Sequence, residues 1–325
     1  MNKDAMKKFL TDGAANCKIL VVGDVMLDKY YFGEVTRISP EAPVPITHVL
    51  EVKETLGGAA NVAHNLALLG CKTFVAAQIG YGGHGEMLLK KLRERKVDVT
   101  GILRTDSPTT TKIRVISGHQ QMIRLDFEDS SEIDGEESKI FLSKVEEIIP
   151  EVDAVIISDY GKGICTEEIC RKIIQTCRMK KIFVVVDPKG DDWEKYSGAN
   201  FITPNLKELN EILPKKIKNL DEPVETAAKK VIDEFDLSGL IVTRSAEGLT
   251  IIDGEKISHI KAKAQEVFDV SGAGDTVISV FTAALAGGLN PVAAAYLANV
   301  AAGVVVAKVG TYAVSREQLL NALEN

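Results

Sequence analysis

With 325 residues, 45% of them hydrophobic and 26% charged, the chain can bury a large core, as one big α/β domain or as a domain with an appendage, which excludes a disordered protein. A formal net charge of −7 excludes nucleic acid as a main partner, because a binder of the phosphate backbone needs a basic face. The five cysteines, Cys17, Cys71, Cys165, Cys170 and Cys177, lack C-x-x-C spacing and read as reduced thiols of a cytoplasmic protein, not as metal ligands.

Residues 1–18 are charged and lack the apolar core of an export signal. Lys18-Ile-Leu-Val-Val22 is a continuous apolar run ending in Gly23-Asp24, the pattern of a buried parallel strand that delivers polar residues to its C-terminal edge. The pattern recurs at 154–157 before Ser158-Asp159, at 182–186 before Asp187-Pro188-Lys189, at 201–203 before Pro204-Asn205, and at 240–242 before Thr243-Arg244. Helical periodicity fills 140–149, 166–178, 206–212 and 224–234. The alternation predicts an α/β fold with a doubly wound, mainly parallel sheet flanked by helices. Ligands bind beyond the strand C-termini in such sheets, so these polar ends converge on one edge.

Two stretches depart from this pattern. Residues 30–55 are rich in β-branched residues and proline, and 109–127 alternates around Ser117-Gly118-His119 like a hairpin. They predict a small antiparallel β lid that covers the substrate and pairs with a second subunit, giving a homodimer. The pairs Lys90-Lys91 and Lys215-Lys216 read as solvated helix surfaces. The hydrophobic region 277–309 is broken by Gly287-Gly288-Leu289-Asn290-Pro291 into two core helices, each too short to span a bilayer, so no membrane partner is expected.

The chemistry concentrates at Glu266-Val-Phe-Asp-Val-Ser-Gly-Ala-Gly-Asp-Thr276, where an apolar run turns through small residues into the Ala-rich stretch 277–286. Gly272, Ala273 and Gly274 let a ligand approach the backbone and leave N–H groups free at a helix N-terminus, which favours anions. Asp275 at the rim would repel a bound phosphate unless it takes a proton from a hydroxyl attacking that phosphate. On spacing alone the same residues also fit an ordinary helix start capped by Asp. Upstream, Gly57-Gly58 opens a second helical stretch in which Asn61 and Asn65 share a face.

The run Asp269-Val-Ser-Gly-Ala-Gly-Asp275 resembles the C-terminal signature of the ribokinase-like (phosphofructokinase-B type) sugar kinases, and 57–70 resembles their N-terminal signature, in the expected order. The resemblance implies ATP and Mg²⁺ as cofactors, with Asp275 as catalytic base and the Gly272, Ala273 and Gly274 amides facing the γ-phosphate. It assigns Gly57, Gly58 and Asn61 to sugar hydroxyls. It gives Asp28 the role of holding the sugar, where an ordinary loop carboxylate is the alternative. Asn205 and Glu208 would organise Mg²⁺-bound water and phosphate; alone they read as a helix capping box, and both can hold. Thr243 would lie near phosphate, Gly248 near adenine and Asn299 beside the base, although Asn299 also fits a buried, paired amide. Asp269, Ser271 and Gly310, in the loop Lys308-Val-Gly310, match positions that hold a monovalent cation such as K⁺.

Ser158-Asp-Tyr-Gly-Lys-Gly163, Asp187-Pro-Lys-Gly190 and the runs 37–45 and 120–127 resemble one branch, the heptose 7-phosphate kinases of lipopolysaccharide-precursor synthesis. That branch implies phosphorylation of the anomeric hydroxyl of D-glycero-D-manno-heptose 7-phosphate to the 1,7-bisphosphate. The substrate's own phosphate needs cations, and Lys162, Lys189, Arg114 and Arg124 are the candidates; Lys189 could instead reach the ATP phosphates. The branch is often fused to an adenylyltransferase, and no H-x-G-H-like motif follows Leu319, so the expectation is a single-function kinase or one domain of a longer protein. With an ordinary carboxylate pKa near ~4, Asp275 is a weak base, so positioning must supply much of the rate. The rivals are a ribose- or ketose-type kinase of the same family, a non-catalytic sugar-sensing paralogue that the intact Asp275 disfavours, and a Rossmann dehydrogenase that would need a G-x-G-x-x-G loop after the first strand.

Overall fold

The chain opens with α1 (Lys3–Lys8) and strand β1 (Lys18–Gly23), continues through two long strands, β2 (Val25–Ile38) and β3 (Pro45–Gly58), into α2 (Ala59–Leu69), and returns to β4 (Lys72–Ala76). The short strands β5 (Gln78–Gly80) and β6 (Leu103–Thr105) bracket α3 (Gly83–Glu94), and the hairpin β7 (Thr111–Ser117) and β8 (Gln120–Phe127) follows. Then come α4 (Gly135–Ile148), β9 (Ala154–Ser158), α5 (Glu167–Lys180), β10 (Phe183–Asp187), β11 (Phe201–Ile202) and α6 (Leu206–Ile212). After α7 (Asp221–Glu234) and β12 (Gly239–Thr243) the chain forms the hairpin β13 (Leu249–Asp253) and β14 (Lys256–Ile260), then α8 (Ala273–Ala286), α9 (Pro291–Val305) and α10 (Arg316–Glu324). The structure is a computed structural model describing residues 2–118, 120–263, 267–308 and 310–324. His119 at the expected hairpin tip, Glu266 and Val309 lie outside the described residues.

The main sheet runs β14-β13-β12-β11-β10-β9-β1-β4, and from β12 to β4 every neighbouring pair is parallel. The continuous apolar runs follow from this: each strand is buried on both faces. Alternation within β1 sorts the two cores. Ile19 and Val21 pack with α2, α8 and α9, and Leu20 and Val22 pack with α4, α5 and α7. Helices α8 and α9 form the expected pair of core helices, with Asn290 capping Ala293 N–H and Pro291 at the first position of α9. Phe281 of α8 meets Phe201 edge-on at 5.1 Å between ring centroids, fixing the helix against the sheet.

Three features differ from the sequence reading. The second sheet, β3-β2-β7-β8, is mixed, because β2 and β7 run parallel with Leu27 opposite Thr111. The long excursion through α2, β4 and α3 supplies the crossover that a parallel pair requires. The main sheet ends in an antiparallel pair, β13–β14, which the alternation of strands and helices does not predict, although Asp253-Gly254 between alternating apolar residues is a hairpin signal. Lys215 and Lys216 lie in the loop after α6, which Pro214 terminates, and Lys91 is no freely solvated lysine, because it pairs with Glu54 at 3.5 Å.

Candidate active site

Successive parallel strands bring Asp24, Asp159, Asp187, Asn205 and Thr243 to one edge of the sheet. Two of these carboxylates act on the loop that follows β9. The Asp24 carboxylate accepts the N–H groups of Tyr160 at 2.8 Å, Lys162 at 3.0 Å and Ile164 at 3.4 Å. Asp159 accepts from Gly161 N–H, Lys195 Nζ and the Tyr196 hydroxyl, each at 2.6 Å. Cys165 lies close to both carboxylates, but their oxygens already receive these protons, so the group is a clamp on 159–164. Burial, with the neighbouring Asp159 charge, pushes the Asp24 carboxyl up to about 6.

Asp275, in the first turn of α8, is buried. Its Oδ2 accepts from Asn61 Nδ2 at 2.7 Å and its Oδ1 from the Tyr160 hydroxyl at 2.6 Å. Burial raises its pKa while the two donors lower it, and burial wins; this corrects the expectation of an ordinary carboxylate and makes Asp275 a better proton acceptor. Gly272 caps α8 at φ 79°, the left-handed region that glycine tolerates. The anion hole needs a correction too: the Ala273 N–H is engaged by the Val270 carbonyl at 3.2 Å, so the free amides of the first turn start at Gly274.

On one side of Asp275 lie the residues expected to hold a sugar. Asp28 sits within β2, not in a loop, and is buried with Arg114 Nη1 2.6 Å from its Oδ1. The Arg114 guanidinium also stacks over Tyr30, 5.2 Å from its centroid. A side chain at Gly57 would collide with Asp28 Oδ2, and one at Gly58 with the Asp24 carbonyl. A Cβ on Gly272 would stand 3.0 Å from Asn61 Nδ2. Gly57, Gly58, Asp28, Asn61, Gly272 and Asp275 thus form one continuous surface.

On the other side lie Asp187, Glu208 and Lys189. Burial and the charges of Glu208 and Asp275 push the Asp187 carboxyl well above its usual range, and Lys189 opposes that shift. The capping box is present: Asn205 Oδ1 accepts from Glu208 N–H at 3.0 Å and Glu208 Oε2 accepts from Asn205 N–H at 2.9 Å. A bridge links Asn205 to Thr243. A buried carboxylate whose ionised form is disfavoured by neighbouring carboxylates is a donor that a hard divalent cation would relieve, so Asp187 with Glu208 beside it fits Mg²⁺.

The pattern described as pfkB family carbohydrate kinase matches residues 16–318. The chain belongs to the pfkB family of carbohydrate kinases. The bifunctional protein HldE of Haemophilus influenzae (strain PittEE) is 45% identical over 307 residues, covering 94% of this chain, and the chain spans 63% of that relative's length. Among solved structures, Arabidopsis thaliana ribokinase complexed with ribose and ATP superposes with a TM-score of 0.75 at 19% identity, covering 95% of this chain and 99% of that one. Phosphofructokinase-2 from Escherichia coli, in complex with potassium, superposes with a TM-score of 0.78 at 18% identity, covering 95% and 98%. At such identities these two support the ribokinase-like fold alone.

The remaining residues of this pfkB chain fall into three places. Gly248 and Asn299 meet the end of β14 and the residue after it: Asn299 Nδ2 donates to the Lys261 carbonyl at 2.8 Å, and a Cβ at Gly248 would collide with the Ile260 carbonyl. Both therefore have a packing reason for their identity. Asp269 ties two loops together, accepting from Ser271 N–H and Gly310 N–H, each at 2.9 Å. Arg124 lies directly across from Arg114 in the β7–β8 pair but is exposed and pairs with Asp126 at 2.9 Å, and Lys162 pairs with Glu128 at 2.9 Å. Tyr160 and Asp187 escaped the sequence reading as site residues. Asp187 had a signal, a carboxylate at a predicted strand end, whereas nothing in the sequence places Tyr160 against Asp275. Among the described residues no helix is long and apolar enough to cross a membrane.

Proposed function

We propose that this pfkB carbohydrate kinase transfers the γ-phosphoryl group of ATP to the anomeric hydroxyl of D-glycero-D-manno-heptose 7-phosphate, giving the 1,7-bisphosphate. The observation that carries the reading is the buried Asp275 carboxylate, held by Asn61 and within electrostatic reach both of Asp28, which Arg114 and Gly57 contact, and of Asp187, which Glu208 and Lys189 also reach. Asp275 accepts the hydroxyl proton as the sugar oxygen bonds to the γ-phosphorus and the bond to the β-phosphate oxygen breaks. When bound, Mg²⁺ supplies positive charge against the transferring phosphate, with Asp187, Glu208 and Asn205 as the residues that would hold it through water. Gly274, at the open N-terminus of α8, leaves room for phosphate oxygens close to the backbone. Asp269, Ser271 and Gly310 form the site for a monovalent cation, which the ligand named for Escherichia coli phosphofructokinase-2 makes reasonable.

The choice of a heptose phosphate rests on the motifs resembling that branch, on the HldE relative and on the cations lining the lid. Arg114 and Arg124 face each other across β7 and β8, on the face that carries Asp28, where a phosphate distant from the reacting hydroxyl would be met. The opposite face of the lid leaves Val52, Ile123 and Leu125 exposed, an apolar surface that supports a homodimer formed through the lid. Coupled ADP release measured over heptose 7-phosphate, unphosphorylated heptose, ribose and fructose 6-phosphate tests the reading. Heptose 7-phosphate is expected to give the highest kcat/KM; equal or better turnover of ribose or a ketose would move the protein to another branch of the family.

A further inference from the structure

Tyr160 stands where the proposed base needs an anchor. Its phenol oxygen is 2.6 Å from Asp275 Oδ1, while Asn61 serves Oδ2. The Tyr160 N–H is held by Asp24, and Asp24 also holds the N–H groups of Lys162 and Ile164. The preceding residue, Asp159, is fixed by Lys195 and Tyr196, and its N–H donates to the Asp187 carbonyl at 3.2 Å. The loop therefore presents the Tyr160 hydroxyl from a backbone secured on both sides, independently of any bound ligand.

Resting on the assignment of Asp275 as base, we infer that Tyr160 is a positioning residue of the transfer step, donating to Asp275 Oδ1 and fixing the carboxylate plane relative to the sugar hydroxyl. A carboxylate oxygen has two lone pairs, so both protein donors can stay in place while the substrate hydroxyl hydrogen-bonds to Asp275. The proton released by the sugar goes to Asp275, and Tyr160 keeps its own, because burial and the nearby carboxylates of Asp275, Asp187 and Glu208 hold the phenol well above its usual range. Asn61 reaches Asp275 from α2 through Oδ2, and Asp28 acts on it from β2 through its charge. Without the Tyr160 hydroxyl, Oδ1 loses the protein donor that fixes its direction. A carboxylate held through Oδ2 alone places its lone pairs correctly for only part of the time, which lowers the rate of the chemical step and not the occupancy of the site.

Tyr160→Phe keeps the ring and removes the donor, and it is tested with Asp275→Asn and the double variant in steady-state assays with ATP and heptose 7-phosphate. The inference predicts a fall in kcat of about 10- to 100-fold for Tyr160→Phe with both KM values within about threefold of wild type. In the Asp275→Asn background the same change should have little further effect, because the group it positions is gone. A Tyr160→Phe kcat within twofold of wild type while Asp275→Asn is inactive would overturn the role of Tyr160 and leave the base intact. An equal further loss in both backgrounds would also overturn it, since the hydroxyl would then act independently of Asp275. Near-normal turnover by Asp275→Asn would instead overturn the assignment of the base.

Discussion

Arg114 Nη1 lies 2.6 Å from Asp28 Oδ1, so the best-placed cation of the lid is tied to the carboxylate proposed to hold the sugar. The pair joins β2 to β7 across a parallel register, and Asp28 is buried with Gly57 close to its Oδ2. Its guanidinium has further N–H groups for a substrate phosphate, since a planar fork of five donors is not exhausted by one carboxylate oxygen.

Replacing Arg114 by Ala is expected to raise KM for the phosphorylated sugar by about 10- to 150-fold and to leave KM for ATP nearly unchanged, because a contact to an ionised group is worth roughly 1.5–3 kcal/mol. Lys189→Ala should do the reverse, raising KM for ATP, since Lys189 stands with Asp187 rather than with the lid. Paired KM determinations on both variants check the division; equal effects on both substrates would show that the two sides are not separate sites.

Gly57→Ala tests the fit of the sugar side without touching charge. The added methyl collides with Asp28 Oδ2, so that side chain must shift, and with it the carboxylate that Arg114 meets at Oδ1. Isothermal titration with the sugar phosphate should show an affinity loss of at least about tenfold with ATP binding intact; unchanged sugar affinity would remove Asp28 from the binding site.

Gly274→Val separates an anion hole from a plain helix start. Around Gly274 a Cβ meets nothing closer than Asp187 Oδ2 at 4.0 Å, and its backbone is ordinary, so the variant should fold with Tm within a few degrees of wild type. The isopropyl group would then occupy the space that phosphate oxygens need, and turnover should fall by about 10²-fold or more. A stable variant with normal turnover would mean that the N-terminus of α8 meets no phosphate.

Asp24 makes a pH prediction. Burial raises its folded pKa from the ordinary carboxylate range to about 6, so its ionised form is disfavoured in the fold. The stability linked to this group is present below about pH 4 and is lost as pH rises through 6, by roughly 2–3 kcal/mol in all. Denaturant unfolding of wild type and Asp24→Asn at pH 4.5 and 7 should therefore show the stability difference moving in favour of Asn at the higher pH. A pH-independent difference would place the Asp24 pKa in the ordinary range.

The parallel half of the sheet was legible because strands buried on both faces must be apolar throughout, and Val184, Val185 and Val186 leave no alternative face. The β13–β14 hairpin was lost beside those stronger signals, and the parallel pairing of β2 with β7 was invisible because it joins segments far apart in the chain. In the site, the glycine-flanked Asp275 could be read locally, whereas its raised pKa depends on burial by other elements. Tyr160 reaches Asp275 only because Asp24, at the end of a different strand, holds its backbone; no spacing rule encodes that. The engaged N–H of Ala273 likewise follows from a turn closed by Val270, which composition cannot reveal.

The most direct test of the account is phosphorus NMR of the product formed from ATP and heptose 7-phosphate by wild-type protein and by Asp275→Asn. The account predicts a new phosphate signal on the anomeric carbon with the wild type, and a rate at least about 10²-fold lower with Asp275→Asn at nearly unchanged ATP affinity. A residual rate within tenfold of wild type, or a phosphate placed on another hydroxyl, would contradict it.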